Sequence, residues 1–230
     1  MQEKFVEQSG CRLRYLQQGE EPVWLIHTGT HGDEQAVIDS VGRYLRSRAG
    51  VLPDLIWVPE TSPSAVARGT RLNARDVNLN RVFYDDAEEP EVRANLRLLA
   101  GRSFRHFLSA HEDLTTDKFY LYEQDDNSAT PEFARLYAGL AALGIGLYEG
   151  LDDDDPVLGN DIKRGYFFSR TSRRPNGVLD GTVEGYVGFN RLASGKIITA
   201  EVPGRLPQEK KDAVVALLFE YLAGSDGVRE

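Results

Sequence analysis

His31 and Glu34 stand three residues apart in Thr28-Gly29-Thr30-His31-Gly32-Asp33-Glu34, straight after the apolar run Val23-Trp24-Leu25-Ile26-His27. A helix-like turn at that spacing aims an imidazole and a carboxylate at one point, and Gly32 lets the backbone bend without a side-chain clash. Such a pair can supply two of the three protein ligands of a hydrolytic zinc site, in which water takes the fourth position. The third ligand of such a site usually comes from far along the chain, and His111 is the candidate. Only four histidines are present, so the choice is narrow. His27 lies on the preceding strand and would point along another direction; it is read as a buried, hydrogen-bonded residue. His106, within Phe104-Arg105-His106-Phe107, is read as structural. Taken singly, a His-x-x-Glu pair or a strand-end histidine is commonplace, so the assignment depends on what brings the three together.

The elements that must do so can be read from apolar periodicity. Residues 11–18 and 22–28 look like strands separated by the turn-prone Gly19-Glu20-Glu21-Pro22. The second is nearly continuous in apolar residues, as expected of a strand covered on both faces. A helix is expected from about Gln35 to Arg48, where Val37, Ile38, Val41, Tyr44 and Leu45 recur at helical spacing. Val51–Val58 reads as a parallel neighbour reached through that helix. Residues 60–84 form a long polar segment rich in Asn and Arg. Beyond it, Pro90 to about Ala100 reads as helix, Ser103–His111 leads into a strand end, and Phe119–Glu123 reads as strand. Pro131–Leu143 reads as helix, Lys196–Val202 as a late strand, and Pro207–Leu222 as a closing amphipathic helix. Such alternation points to a sheet with helices on both faces. Unstructured loops longer than about 12–15 residues tend to be functional, and open α/β sheets bind ligands outside the carboxyl ends of their strands. His31, Glu34, the 60–84 loop and His111 can all be delivered to that edge.

Composition narrows the function classes. The 230 residues are 41% hydrophobic and 27% charged, ordinary values for a globular protein, and the chain is read as one domain over 1–230. With 36 acidic against 27 basic residues the formal charge is -9, which argues against a nucleic-acid partner. No stretch approaches the ~18 apolar residues of a membrane span, and the first eight residues lack the apolar core of a signal peptide. Cys11 is the one cysteine, so no intramolecular disulfide can form. A cytoplasmic location is expected.

The segment Gly69-Thr70-Arg71-Leu72-Asn73-Ala74-Arg75-Asp76-Val77-Asn78-Leu79-Asn80-Arg81 resembles the signature of zinc carboxypeptidases and their bacterial murein-peptide amidase relatives. In those proteins an arginine is followed by an Asn-Ala stretch and then Asp-Leu-Asn-Arg. The His31-Gly32-Asp33-Glu34 turn looks like the zinc-binding turn of the same group and of the succinylglutamate desuccinylase and aspartoacylase deacylases. Ile198-Thr199-Ala200-Glu201-Val202-Pro203 is similar to the late strand that carries the family's catalytic glutamate. The matches keep the family order from residue 23 to 203. The resemblance implies a three-layer α/β sandwich with a mostly parallel, mixed central sheet. It implies Zn2+ held by His31, Glu34 and His111, a ligand set known from carboxypeptidase itself. Arg71 would polarise the scissile carbonyl, Asn80 and Arg81 would bind the substrate's terminal carboxylate, and Glu201 would serve as general base and acid.

The implied activity is hydrolysis of an amide bond next to a carboxylate, in a small peptide or an acyl-amino acid. An N-acyl amino acid deacylase is the alternative. Those deacylases usually add a C-terminal β-rich domain, whereas 29 residues follow Glu201 here and read as one helix, which favours the open peptidase core. A catalytically silent, carboxylate-binding relative is the alternative from another class. Two departures blur the subfamily: Asn78 stands where the family usually has aspartate, and Val82-Phe83-Tyr84 replaces the usual Asn-Phe-Pro. Glu112 and Asp113 beside His111 could orient a ligand or face solvent. Tyr120, Tyr122 and Tyr186 are candidates for the family's substrate-contacting tyrosine. Arg75 and Asp76 are assigned to loop stabilisation. Asp152-Asp153-Asp154-Asp155 lacks the spaced oxygens and turn glycine of a calcium loop, and it is read as a solvated loop. Arg170–Gly177 is likewise read as an exposed basic loop.

Overall fold

Residue alternation sorts the chain onto the two faces of one sheet. The computed structural model describes residues 1–152, 159–168, 180–190 and 192–224; Asp153, Asp154, Asp155 and the basic stretch Arg170–Gly177 lie outside them. In chain order the elements are β1 (Gln2–Gln8), β2 (Cys11–Gln18), β3 (Trp24–His27), α1 (Gln35–Ser47), β4 (Leu55–Val58) and α2 (Pro63–Arg68). A 3-10 turn (Leu79–Arg81), α3 (Pro90–Leu99), β5 (His106–Asp113), β6 (Tyr120–Glu123), α4 (Pro131–Ala142) and β7 (Gly150–Leu151) follow. The last are β8 (Asp161–Ile162), β9 (Tyr166–Phe168), α5 (Val183–Phe189), β10 (Ile197–Pro203) and α6 (Gln208–Ala223).

The main sheet has eight strands in the order β1-β2-β4-β3-β5-β10-β6-β9, and β7 pairs with β8 apart from it. Its centre, β4-β3-β5-β10, is parallel. The β1-β2, β2-β4 and β10-β6 pairs are antiparallel, and β6-β9 is parallel. Every residue of β3 and β4 is buried, which explains why Trp24–Ile26 and Leu55–Val58 are apolar without interruption. Trp24, Ile26, Leu108, Ala110, Ile198 and Ala200 face one side, with core residues of α1, α4 and α6. Leu25, Ile56 and Phe107 face the other, with Val92, Leu98, Val183 and Val187 of α3 and α5. The result is the three-layer α/β sandwich expected from the sequence, with a mixed sheet. Burying each such Leu, Ile, Val or Phe side chain is worth about 1.5–3 kcal/mol.

Several elements differ from the sequence reading. The 51–58 run is strand only over Leu55–Val58, because Pro53 has no amide hydrogen for the ladder and Val51 is 77% exposed. Segment 60–84 is not one irregular loop. Pro63 opens α2, and Gly69, at φ 63, closes it in the left-handed conformation that a glycine tolerates. The edge strand β1 was not read from the sequence; it joins β2 through Ser9 and Gly10, both at positive φ (52 and 82), the geometry of a tight hairpin. Among the described residues, no helix is long and apolar enough to cross a membrane.

Candidate metal centre

β3 ends at the carboxyl edge of the parallel centre, and the chain then turns through Thr28–Asp33 into α1. That turn is sewn to the following segment: Thr28 N donates to Val58 O (3.0 Å), Thr61 N to Thr28 O (3.0 Å) and Gly32 N to Thr70 O (2.9 Å). A Cβ on Gly32 would lie 1.9 Å from the Ala65 carbonyl oxygen, so no other residue fits there. Glu34 occupies the N-cap of α1, where the positive end of the helix dipole favours a carboxylate. His111 comes from β5, and the parallel register places Glu201 of β10 directly beside it. By alternation both side chains leave the sheet on the α3/α5 face.

The structure brings His31, Glu34 and His111 together. All three are buried, and one ligand atom from each lies within 4.8 Å of the others. The Nδ1 atoms of both imidazoles face the carboxylate: His31 Nδ1 is 2.6 Å from Glu34 Oε1, and His111 Nδ1 is 3.1 Å from Glu34 Oε2. The outer nitrogens meet oxygen acceptors. His31 Nε2 lies 3.2 Å from Asn78 Oδ1, and His111 Nε2 lies 3.2 Å from Glu184 Oε1 and 3.1 Å from Ser109 Oγ. Acceptors there hold the proton on Nε2 and leave the Nδ1 lone pairs for the centre. Glu34 Oε2, though close to His111, makes no hydrogen bond. Two inward lone pairs and a buried carboxylate oxygen without a hydrogen bond fit a divalent cation.

The electrostatics point the same way. Burial pushes Glu34 up, but His111 and then His31 outweigh it and hold the carboxyl down at about 2. Glu184 is likewise pushed up by burial and drawn down to about 2, chiefly by its hydrogen bond with His111. Burial works against a charged His111, yet Glu34, Glu184 and Glu201 together hold it well above the usual imidazole range. Glu201 is partly exposed as a residue, but burial of its carboxyl group pushes it up to about 8, with Glu34 and Asp113 adding to the rise. His111 and Arg71 oppose that rise. A cation at the centre would favour the ionised carboxylates and displace the proton on His111.

Other sequence-read residues fall into distinct places. Arg71, on the exposed side of the turn, brings Nη1 within 3.5 Å of His31 Nδ1. Asn80 is buried at 7% exposure, and both ends of its amide are engaged by α5: Nδ2 donates to Glu184 Oε2 (3.2 Å) and Oδ1 accepts from Val183 N (2.8 Å). Arg81 is exposed and donates to the Asn80 carbonyl (2.8 Å). Glu112 points to the opposite face and pairs with Lys211 of α6, whereas Asp113 accepts from the Tyr120 hydroxyl (2.8 Å). Tyr122 donates to Asp152, and Tyr186 to Asp85 (2.7 Å). His27 is fully buried, hydrogen-bonded to Thr61 (3.3 Å), and burial lowers it to about 4. His106 accepts from Lys196 N (2.8 Å). Arg75 lies 3.7 Å from Glu89, and Asp76 lies 3.6 Å from Arg68. Among the described residues, the sequence reading missed Glu184 and Ser109, both beside His111 Nε2.

No protein-family model and no curated protein matches the chain. Solved structures do. A candidate metallopeptidase from Shewanella amazonensis SB2B superposes over 97% of this chain and 86% of its own, at 22% identity and a TM-score of 0.72. A metallo-carboxypeptidase from Pseudomonas aeruginosa does so over 97% of this chain and 64% of its own, at 18% identity and a TM-score of 0.62. A succinylglutamate desuccinylase/aspartoacylase from Rhodobacter sphaeroides matches over 96% and 63%, at 16% identity and a TM-score of 0.56. The fold of this chain is therefore the metallocarboxypeptidase-like fold that these proteins share.

Proposed function

We propose that the chain is a zinc-dependent hydrolase that cleaves an amide or peptide bond next to a substrate carboxylate, in the manner of a metallocarboxypeptidase or peptide amidase. One observation carries the reading: His31, Glu34 and His111 converge from separate parts of the chain, with Glu201 in register beside His111. His31 and His111 would hold the ion through Nδ1, and Glu34 through its carboxylate. When bound, zinc would acidify a water toward neutral pH and polarise the carbonyl that it faces.

The chain's own residues supply the rest. Glu201 takes the proton of the attacking water and passes it to the leaving amine, which becomes a neutral amine as the bond breaks. Arg71 places a guanidinium beside the centre, where it stabilises the developing oxyanion; removing one such donor costs about 2.7–4 kcal/mol. Arg81 offers a planar, two-pronged donor for the substrate carboxylate. Asn80, with its amide engaged by α5, supports that loop from behind, so the carboxylate falls to Arg81. The Pseudomonas aeruginosa metallo-carboxypeptidase was solved with (2-guanidinoethylmercapto)succinic acid, a small carboxylate-bearing molecule, which supports a substrate of that size here.

The test is a substrate panel with zinc-loaded protein: short peptides with free C-termini, the same peptides amidated, and N-acetyl- and N-succinyl-amino acids. Hydrolysis confined to free-carboxylate peptides is expected, with Glu201→Gln keeping zinc and losing turnover by about 100-fold or more. Preference for the N-acyl substrates would select the deacylase alternative. Zinc binding without turnover on any substrate would select a silent carboxylate-binding relative. Unchanged turnover in Glu201→Gln would remove Glu201 from the mechanism.

A further inference from the structure

α5 enters the site with a carboxylate that no recognisable motif announces. Glu184 is 7% exposed, and both its oxygens are committed: Oε1 lies 3.2 Å from His111 Nε2, and Oε2 accepts from Asn80 Nδ2 at 3.2 Å. The orientation of the Asn80 amide is settled by its other end. Its Oδ1 accepts the Val183 backbone N–H at 2.8 Å, and a flipped amide would set two donors face to face there. The amide nitrogen therefore faces Glu184. α5 itself is held in place: Thr182 Oγ1 accepts from Gly185 N (2.9 Å), Asp180 Oδ1 accepts from Thr182 N (2.9 Å), and Gln124 Nε2 donates to the Glu184 carbonyl (3.0 Å).

The two histidines of the centre are backed differently. Behind His31 stands the neutral amide oxygen of Asn78, which also accepts from Asn80 N (3.0 Å). Behind His111 stands a buried carboxylate. An imidazole N–H bound to a carboxylate has its tautomer and ring plane fixed and becomes a more basic ligand through its other nitrogen.

We propose that Glu184 is a positioning residue of the metal centre: it holds the Nε2–H of His111 so that Nδ1 faces the ion, and Asn80 holds Glu184. The inference depends on the metal-centre reading above and deepens it. It also gives Asn80 a task distinct from that of Arg81. Asn80 links the loop that carries both arginines to the helix that orients His111.

Zinc affinity measured by competition with a chromophoric chelator tests this on the wild type, Glu184→Gln and Glu123→Gln. Glu123 is a control for lost packing. It is a buried carboxylate on the opposite face of the sheet, bonded to Tyr221 (2.9 Å) and Asn127 (3.2 Å). The expected result is roughly 10–100-fold weaker zinc binding in Glu184→Gln, affinity close to wild type in Glu123→Gln, and an altered visible spectrum of cobalt-loaded Glu184→Gln. If Glu184→Gln fails to fold, imidazole 15N shifts of the zinc-loaded wild type decide. His111 should be metal-bound at Nδ1 and carry a slowly exchanging proton on Nε2. Wild-type affinity and spectrum in Glu184→Gln, an equal loss in Glu123→Gln, or His111 bound through Nε2 would each overturn the proposal. A wild type that binds neither zinc nor cobalt would remove the metal-centre reading, and this inference with it.

Discussion

Arg71 and Arg81 carry the same charge but are assigned different tasks, and steady-state kinetics should separate them. Arg71 lies 3.5 Å from a proposed metal ligand, so Arg71→Ala should lower kcat and kcat/KM together by about 100–1,000-fold while zinc stays bound. Arg81 is exposed at the end of the 3-10 turn. Arg81→Lys keeps the charge but loses the fork, so KM should rise with kcat nearly unchanged. An Arg71→Ala effect confined to KM would move that residue into substrate binding. At this scale the sequence was informative wherever a residue's task is announced by close neighbours, as for His31, Glu34 and the 69–81 segment. Glu184 carried no such signal, because its partners His111 and Asn80 lie 73 and 104 positions away. A lone glutamate in Val183-Glu184-Gly185 has nothing nearby to mark it. Asn80 was legible as a motif residue, but its contacts depend on a helix that the sequence reading did not assign.

Elements position these groups through a few backbone approaches, and those approaches can be tested. The turn from β3 to α1 passes so close to α2 that a Cβ at position 32 would lie 1.9 Å from Ala65 O and 2.0 Å from Ala65 C. Backbone on both sides leaves no flexible side chain to yield. Gly32→Ala should therefore cost about 1–3 kcal/mol or more in urea unfolding and weaken zinc binding too, since positions 31 and 34 flank it. Wild-type affinity in Gly32→Ala would mean that the turn does not set the ligand geometry. Asn80→Ala leaves the Val183 N–H and one Glu184 oxygen without their present partner, and should cost about 1–3 kcal/mol by the same measurement. A helix with a clear apolar period, such as α1, and a strand within an almost unbroken apolar run, such as β3, were legible. The short elements β7, β8, β9 and α5 have two to seven residues, too few for a period to emerge. Tertiary contacts rather than local pattern define them.

For the molecule as a whole, the layered α/β plan was legible because apolar strands alternate with amphipathic helices. The strand order was not. β10 enters between β5 and β6 by pairings that join Glu201 to both His111 and Tyr120, and no local pattern encodes such distant partners. The face opposite the metal centre gives the fold a pH dependence of its own. Burial pushes Glu123 from 4.5 up to about 7, against the opposing effects of Tyr221, Lys196 and Asn127. The folded state thus binds this proton more tightly than the unfolded state. The stability it lends is fully present below the ordinary value of 4.5 and is lost as pH rises through about 7, a change of about 3 kcal/mol at most. Glu123→Gln should flatten the fall in Tm across that window; an unchanged slope would place the linkage elsewhere. The claim on which the functional account turns is convergence of His31, Glu34 and His111 on one cation. Its most direct test is zinc titration of metal-free protein, alongside His31→Ala and His111→Ala, by chelator competition. One tight site per chain, lost in both variants, is expected; no tight site, or one that survives both substitutions, would contradict the account.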